Sequence, residues 1–568
     1  MLKGIPVSQG VGIARAVCLQ APEPPAEIHT TQAADVEAEL HKLTQSIACT
    51  TTELNHLQEK AAAELGASEA AILAAHLAFL QDPSFVGEMQ NLIKDQQLHA
   101  AQAVQQVMEH FSAMFESMDD PYMQERATDI RDVGKRILKN MQNPNAAATE
   151  YTEPFILIAE DVTPSDTIQL PRQLVRAIVA AKGGATSHAA ILARSLGIPA
   201  VMGAGAELME KVFDGDLVIV DGTAGTIHIN PDEQTLAKYR QQAEAEQAQA
   251  EQLEKLRELP AETIDGRRVE LAVNIGRPEE IEAALAKGAE GVGLFRSEFL
   301  FMDREQLPSE EEQFVAYRDA IAGMAGKPVI IRTLDVGGDK HLPYLDIPKE
   351  DNPFLGWRAI RISLDRIDLF KTQLRAILRA SAFGKALVMF PMISHVEQIR
   401  AAKRLMEEAK QELRQEGIAF DKAIATGIMM EIPAACLIAD ALAQEVDFFS
   451  IGTNDLVQYT LAVDRMNERL GDLYSYFHPA VLRLIQNVID ASHRNGIWTG
   501  MCGEMAADPL AAPLLLGMGL DEFSCNANSL PRVKEQIRRH TYEQAQSVAK
   551  HVLTLATPNE VKAYLSSL

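Results

Sequence analysis

The last part of the chain alternates between short apolar runs and helical segments, and this alternation restricts the fold more than any other feature. Eight apolar runs follow one another: Val269–Val273, Gly291–Phe295, Pro328–Thr333, Ala386–Met392, Gly427–Glu431, Phe448–Ile451, Thr499–Cys502 and Glu522–Ser524. Strands that alternate with helices form parallel sheets, and eight β/α units within residues 259–568 are the number that closes a (β/α)8 barrel. A flat, doubly wound sheet would use fewer strands and is the alternative. We therefore predict a TIM barrel in this region.

Polar residues close or follow five of these runs, at the end where such barrels carry their active sites. They are Arg296, Arg332, Glu431, Asn454, Asp455 and Cys502. Arginine side chains bind carboxylate and phosphate oxygens, whereas two carboxylates beside anionic oxygens require a divalent cation between them. Because all these ligands are oxygens, Mg²⁺ is favoured over zinc. Any one residue alone is equally consistent with a salt bridge at the barrel rim, but together they predict a site for a small polyanion.

Cys502 is the last residue of the seventh run and suits the role of a general acid. Free cysteine has a pKa of about 8.5, and negative neighbours disfavour the thiolate further, so the thiol should carry its proton at neutral pH. An inert, buried thiol is the usual interpretation of a lone cysteine. Its position at a strand end, in Met501–Glu504, favours the catalytic interpretation here.

A glycine loop followed by a short helix places a histidine at the helix start, in the segment GGATSHAAILAR at 183–194. The apolar run Ala177–Ala181 before it predicts a strand. Thr186 or Ser187 can cap the helix, so His188 lies where free backbone N–H groups and the positive end of the helix dipole point outward. Those donors would bind a phosphoryl group carried by the imidazole. A histidine that merely helps to cap the helix is the alternative.

The first 258 residues divide into strand-rich and helix-rich parts. Strand-like sequence occupies residues 1–20 and returns at 147–230, whereas residues 21–146 are rich in helix formers with helical periodicity. The economical interpretation is an α/β domain with a helical bundle inserted into it. Residues 231–258 are polar nearly all round, which predicts a linker helix rather than a core helix.

Composition excludes several classes of protein. A chain of 568 residues with 47% hydrophobic and 23% charged residues is that of a globular protein with several domains. No apolar run approaches the roughly 18 residues that span a bilayer. A net charge of −26 argues against nucleic acid as a partner. Five cysteines without a C-x-x-C pair predict no disulfide framework, and we expect a cytoplasmic protein without membrane insertion.

Six motifs, taken in order, resemble those of the phosphoenolpyruvate-utilising enzymes. They are the histidine motif at 183–194 and the segments 294–301, 333–340, 427–434, 451–456 and 500–504. In motif order and length the chain resembles the Enzyme I branch of this family, which serves the sugar phosphotransferase system. The resemblance implies an α/β multidomain protein with a swivelling phosphohistidine domain, an inserted helical subdomain that binds a carrier protein, and a TIM barrel that binds phosphoenolpyruvate. The phosphohistidine domain would comprise residues 1–20 and 147–230, the helical subdomain residues 21–146, and the barrel residues 259–568. Residues 231–258 would form the linker.

The resemblance also implies a reaction and its residues. His188 takes the phosphoryl group from phosphoenolpyruvate and passes it to a histidine on an HPr-like phosphocarrier protein, as the first step of sugar uptake and phosphorylation. Cys502 protonates C3 of enolpyruvate to give pyruvate, Glu431 and Asp455 hold Mg²⁺, and the protein forms a homodimer. The implied substrate-binding residues are Arg296, Arg332, Arg358, Asn454, Asp455 and Arg465, with Arg358 adding charge at the rim.

Two alternatives and one departure from the family pattern stay open. A dikinase-type relative would need an ATP-binding domain, but no G-x-x-x-x-G-K-[ST] loop occurs in the sequence. A regulatory phosphocarrier with a non-catalytic barrel is the second alternative. The segment Asp521–Arg532 differs from the family's more usual Ser-Met-Ser-Ala-Ile-Ser-Ile-Pro. Its Cys525 and Asn526 are expected either to alter substrate packing or to mark a distinct paralogue, so specificity for the carrier is less defined than the chemistry.

Overall fold

The computed structural model describes two compact units, Met1–Gln249 and Ala250–Leu568. The described residues are 1–19, 35–64, 67–118, 121–142, 151–171, 173–184, 187–302, 304–338, 340, 342, 344–345, 348 and 350–568. Within them, no helix is long and apolar enough to cross a bilayer.

The first unit combines a mixed sheet with a helical bundle. Its strands are β1 (Leu2–Lys3), β2 (Ile5–Ser8), β3 (Val11–Leu19), β4 (Phe155–Ala159), β5 (Val175–Ala180), β6 (Ala200–Met202), β7 (Leu217–Asp221) and β8 (Thr226–Ile229). Its helices are α1 (Val36–Glu64), α2 (Ala67–Gln81), α3 (Pro83–Gln96), α4 (Ala100–Glu116), α5 (Pro121–Gln142), α6 (Pro164–Gln169), α7 (His188–Leu196) and α8 (Glu207–Lys211), and α9 (Glu233–Lys255) continues into the second unit.

The sheet of the first unit takes strands from both sides of the helical segment. Its order is β1-β8-β7-β3-β4-β5-β6-β2, with β3 to β6 parallel and the other neighbours antiparallel. Helices α1 to α5 lie between β3 and β4 in the chain. Asp82 separates α2 from α3, because its carboxylate accepts a hydrogen bond from Ser84 N at 2.7 Å and Pro83 cannot continue the preceding helix.

The second unit is a closed barrel of eight parallel strands, in the order β10 to β16 with β9 completing the ring. The strands are β9 (Glu270–Ile275), β10 (Gly291–Arg296), β11 (Val329–Arg332), β12 (Ala386–Phe390), β13 (Ala425–Met430), β14 (Phe448–Ile451), β15 (Trp498–Met501) and β16 (Glu522–Cys525). The helices are α10 (Ile281–Ala286), α11 (Glu310–Gly323), α12 (Ile360–Asp365), α13 (Ile367–Ala380), α14 (Val396–Glu416), α15 (Pro433–Leu437), α16 (Ala439–Ala443), α17 (Thr453–Leu461), α18 (Pro479–Arg494), α19 (Ala512–Met518), α20 (Leu530–Arg539), α21 (Tyr542–Val552) and α22 (Pro558–Ser566).

The closed ring confirms the predicted (β/α)8 barrel and excludes the flat sheet. Side chains of each strand alternate between the barrel interior and the layer beneath the helices. The interior cluster contains Leu294, Ile330, Met389 and Phe448. Phe523 packs in the outer layer, beneath the helices. The same alternation decides which strand-end residues face the mouth of the barrel.

Candidate active site

A cavity of about 170 Å³ opens at the carboxyl ends of the barrel strands. Arg296 shares the interior face of its strand with Leu294, and Arg332 shares that of Ile330. The polar residues that line the cavity are Arg296, Glu298, Arg332, Asp335, Lys340, Glu431, Asn454, Asp455, Arg465 and Cys502. The residues that the sequence placed at the strand ends thus surround one cavity.

Arg332 is held by two buried carboxylates to which the sequence analysis gave no role. Its Nη2 donates to Glu298 Oε1 at 2.5 Å, and its Nη1 lies 3.0 Å from Asp335 Oδ2. Lys340 Nζ donates to the same oxygen of Glu298 at 2.8 Å. Burial alone would raise the pKa of both carboxyl groups, but the neighbouring cations hold the pKa of Glu298 below its ordinary value and that of Asp335 well below it. Both are therefore charged and orient the cations.

Arg358 lies beneath the cavity, and the prediction that it adds charge at the rim is wrong. Its side chain is 2% exposed, with Nη2 3.0 Å from Asp335 Oδ1 and Nη1 3.1 Å from Asp455 Oδ1. The backbone comes close at Gly337, where an added Cβ would stand 2.6 Å from Arg358 Cβ. Arg358 therefore bridges Asp335, which follows β11, and Asp455 of α17 on the side away from the cavity.

Two further arginines face the cavity. No carboxylate among the described residues forms an ion pair with Arg296. Arg465 Nη1 lies 3.6 Å from Asp455 Oδ2, and its guanidinium stands over the ring of Phe354, 5.4 Å from the centroid. An anionic ligand would supply the missing partner of Arg296.

Asn454 and Asp455 occupy the first turn of α17, directly after β14. The backbone carbonyl of Asn454 accepts a hydrogen bond from Tyr474 Oη at 3.0 Å, and its side-chain oxygen accepts one from Glu504 N at 3.3 Å. These contacts fix the start of the helix at the mouth of the barrel.

Glu431 follows β13, and only 1% of the residue is exposed. Its Oε1 accepts a hydrogen bond from Met392 N at 2.6 Å, but no lysine or arginine of the described chain pairs with it. Burial, together with the charges of Asp455 and Asp335, raises the pKa of Glu431 to about 8. A carboxylate in such surroundings is ionised most easily beside a bound cation.

The pair Glu431 and Asp455 fits Mg²⁺. Both offer only oxygen ligands, the type that Mg²⁺ prefers. Among the described residues there is no group of three or more His, Cys, Asp or Glu side chains arranged to hold a metal. Substrate oxygens and water would therefore have to complete the shell, as is usual for Mg²⁺ bound through one or two carboxylates.

Cys502 lies directly after β15 in the floor of the cavity. Burial raises the pKa of its thiol to about 11, although a hydrogen bond from Ser450 and the charge of Arg332 act in the opposite direction. The thiol is therefore protonated at neutral pH, as a general acid must be.

His188 is the first residue of α7 in the first unit. The cap is Ser187, whose hydroxyl oxygen accepts a hydrogen bond from Ala190 N at 3.3 Å, and the helix ends before Gly197 in the left-handed conformation at φ 66°. Thr186, the other candidate cap, lies outside the described residues, as does the imidazole of His188. From Ser187 onward the backbone thus has the predicted helix start.

Cys525 and Asn526 lie apart from the cavity lining. Cys525 alternates with Ser524 along β16, so it packs in the outer layer with 1% exposure, and the idea that it alters substrate packing is wrong. The side-chain oxygen of Asn526 accepts hydrogen bonds from Ser529 N at 3.1 Å and Ser529 Oγ at 3.2 Å. The asparagine therefore shapes the turn that leads into α20.

Comparisons with known proteins cover nearly the whole chain. Family profiles described as "PEP-utilising enzyme, N-terminal", "PEP-utilising enzyme, mobile domain" and "PEP-utilising enzyme, PEP-binding domain" match residues 3–126, 151–225 and 250–542, respectively. A phosphoenolpyruvate-protein phosphotransferase of Geobacillus stearothermophilus is 49% identical over 99% of this chain and 97% of its own length. Proteins of the same name from Staphylococcus carnosus and Enterococcus faecalis are 47% and 48% identical, over 99% and 95% of this chain and 97% and 94% of their own lengths. Because relatives this similar match along nearly their full length, the chain belongs to the family of phosphoenolpyruvate (PEP)-utilising enzymes.

Proposed function

We propose that the chain is a phosphoenolpyruvate-protein phosphotransferase. It transfers the phosphoryl group of PEP to His188 and then to a histidine of an HPr-like phosphocarrier protein, and it releases pyruvate as the first step of sugar uptake and phosphorylation. The observation that carries this proposal is one barrel cavity lined both by arginines, among them Arg296, and by the protonated thiol of Cys502. The full-length relatives of that name support the same activity.

PEP binds in the barrel cavity through its phosphate and carboxylate oxygens. Arg296 and Arg332 supply planar donor pairs, and Arg465 with the backbone at Asn454–Asp455 completes the cradle. Glu298 and Asp335 hold Arg332 in one orientation, so little reorganisation is needed when the substrate arrives. Arg358 acts from beneath, as a positioning residue for Asp455.

The phosphoryl step is a displacement at phosphorus. Nε2 of the neutral imidazole of His188 forms a bond to phosphorus, the bond from phosphorus to the enol oxygen breaks, and its electron pair leaves as enolate. The arginines offset the charge on the transferring group. Glu431 and Asp455 would hold Mg²⁺, which would supply further charge neutralisation at the phosphoryl group.

Cys502 completes pyruvate formation. The thiol donates its proton to C3 of the enolate, which becomes the methyl group, and the enolate oxygen becomes the ketone oxygen. A thiol whose pKa is raised to about 11 by burial holds this proton until the enolate forms.

The reaction requires the imidazole of His188 to enter the barrel cavity and later to reach the carrier. We assign residues 1–20 and 147–230 to the phosphohistidine domain, 21–146 to the carrier-binding subdomain, 231–258 to the linker and 259–568 to the PEP-binding barrel. The order of the elements supports this assignment, because α1 to α5 interrupt the sheet between β3 and β4 and α9 follows its last strand.

A homodimer through the barrel and a cytoplasmic location belong to the same proposal. Large apolar side chains that are exposed in the second unit support self-association: Leu355, Leu437, Ile438, Met466 and Leu473. All five cysteines are free, which suits a reducing compartment.

Labelling distinguishes this function from its rivals. Incubated with ³²P-labelled PEP and Mg²⁺, the chain should gain acid-labile label, release pyruvate and pass the label to a carrier; γ-labelled ATP should give none. Label from ATP would favour a dikinase, and label from PEP without pyruvate would favour a non-catalytic phosphocarrier.

The role of Cys502 is tested by Cys502→Ala, which should slow pyruvate formation by about 10²-fold or more, the usual contribution of a general acid. Cys436→Ala is the matched control, because Cys436 is a buried cysteine of the same barrel that does not line the cavity. A normal turnover of the Cys502 variant would exclude the thiol as the acid.

A further inference from the structure

We infer that Ser450 and Asn274 are positioning residues for Cys502 in the protonation of enolpyruvate. Ser450 stabilises the sulfur in its deprotonated state, and Asn274 fixes the backbone that carries it. This inference rests on the proposed function and adds two residues to it.

Ser450 is placed inside the barrel by strand alternation. It lies two residues after Phe448 on β14, on the interior face, and is 2% exposed. Its hydroxyl donates a hydrogen bond to Cys502 Sγ across 3.4 Å, from the neighbouring strand. The donor is therefore aimed at the one atom of the cavity floor that gains charge in the reaction.

The proton transfer leaves charge on that sulfur. The S–H bond of Cys502 breaks, the proton forms a C–H bond at C3 with the electron pair of the enolate double bond, and the S–H electron pair stays as thiolate. A hydrogen bond to a charged acceptor is about twice as strong as one to a neutral acceptor, so the Ser450 donor favours the state after transfer. The thiolate regains its proton from solvent once pyruvate leaves.

The other titratable groups around the sulfur make such a donor useful. Arg332 on β11 favours the thiolate, whereas Glu431 after β13 and Glu522 on β16 oppose it when they are ionised. Burial opposes it most. Ser450 supplies the hydrogen bond that offsets part of this cost at the moment of reaction.

Asn274 ties the chain at Cys502 to two other strands. From the interior face of β9, its Nδ2 donates to Cys502 O at 2.9 Å and to Ser524 O at 3.3 Å. Its Oδ1 accepts from Ser524 Oγ at 2.6 Å, so both ends of the amide are engaged. Because the backbone is held from this side, removing the Ser450 hydroxyl should change the energy of the thiolate and not the place of the sulfur.

The first experiment measures the thiol without substrate. In Ser450→Ala, the rate at which iodoacetamide alkylates Cys502 at pH 8, followed by mass spectrometry of its peptide, should fall about three- to tenfold. A lower thiolate fraction slows alkylation, and the higher nucleophilicity of a more basic thiolate offsets part of that loss. Ser492→Ala removes a buried hydroxyl of α18 outside the cavity and should leave the rate unchanged.

The second experiment measures the reaction. Ser450→Ala should form pyruvate about tenfold more slowly. The stereochemistry of the product is the second readout. In tritiated water, this variant should convert PEP that is stereospecifically deuterated at C3 into pyruvate whose methyl group has a lower stereochemical purity. Ser450→Thr keeps the hydroxyl and should restore both. Asn274→Asp, which replaces the amide donor by an acceptor, should lower the purity as well.

The outcomes are separable. A wild-type chain that forms no pyruvate would refute the proposed function, while the alkylation rate would still test Ser450. Wild-type alkylation and pyruvate rates in Ser450→Ala would overturn the role of Ser450, and unchanged purity in Asn274→Asp would overturn that of Asn274.

Discussion

Replacing Arg358 by methionine should unfold the barrel at a markedly lower temperature. The substitution keeps the length and apolar stem of the side chain but removes the cation that joins Asp335 to Asp455. Both carboxylates are buried, so the charge that remains cannot be compensated by water. The effect therefore measures how far the cavity depends on the ion pairs beneath it.

The contacts that remain set the magnitude. Breaking a buried ion pair by removing one partner costs about 3–5 kcal/mol. Asp335 keeps Arg332 at 3.0 Å, and Asp455 keeps Arg465 at 3.6 Å, so we expect the lower end, about 3 kcal/mol. For a unit of this size that corresponds to a fall in Tm of roughly 4–5 °C.

Tryptophan fluorescence is the suitable assay. The two tryptophans of the chain, Trp357 and Trp498, both lie in the second unit, so their emission reports unfolding of the barrel alone. Arg366→Met is the matched control, because Arg366 forms an exposed pair with Asp368 at 3.1 Å that should contribute less than about 1 kcal/mol. Equal Tm values for the two variants would refute the buried network as a source of stability.

Two further perturbations test neighbouring parts of the barrel. In Gly452→Ala the new Cβ would stand 2.8 Å from Glu431 Oε2. We therefore expect the Mg²⁺ concentration for half-maximal activity to rise about tenfold, which is the low end of the usual effect of disturbing the groups that support a metal ligand. Gly471→Ala is the control, because its new Cβ meets open space and should leave the Mg²⁺ requirement unchanged. An unchanged Mg²⁺ requirement in Gly452→Ala would contradict Glu431 as a ligand. Burial and the nearby Glu270 raise the pKa of Glu522 well above its ordinary value. The contribution of Glu522 to the stability of the fold is therefore fully present below the pKa that this carboxyl has in the unfolded chain. It is lost as the pH rises towards the pKa of Glu522 in the folded protein. Glu522→Gln should therefore raise the free energy of unfolding at pH 8 by about 1–3 kcal/mol, the usual cost of an unpaired buried polar group, and Tm should rise with it. The gain at pH 5 should be much smaller, and an equal gain at both pH values would contradict the raised pKa.

The barrel could be predicted from the sequence because each strand is a short apolar run between helical segments. The limits shifted by one or two residues, as at β13, which ends at Met430 rather than Glu431. The start of α7 also followed from its residues, since a serine cap and a terminal glycine have local causes.

The ion pairs of the cavity could not be predicted in the same way. The place of Arg358 depends on the close approach of its backbone to Gly337, and no local pattern encodes that contact. The pairing of Arg332 with Glu298 joins β11 to the short helical turn after β10, and spacing along the chain does not specify partners across a barrel.

The alternation of side chains along a strand also predicts which residues face the barrel interior. Counting in twos from Phe448 places Ser450 on the interior face, and counting from Phe523 places Cys525 outside. The alternation thus places Ser450 with the cavity and Cys525 away from it.

The most direct test of the central claim is a single-turnover experiment with ³²P-labelled PEP, Mg²⁺, the chain and a carrier protein. The label lost from PEP should appear first on His188 and then on the carrier, with one pyruvate formed for each phosphoryl group transferred, and His188→Ala should show none of these. Phosphoryl transfer to the carrier by His188→Ala at the wild-type rate, or label that never resides on His188, would contradict the account.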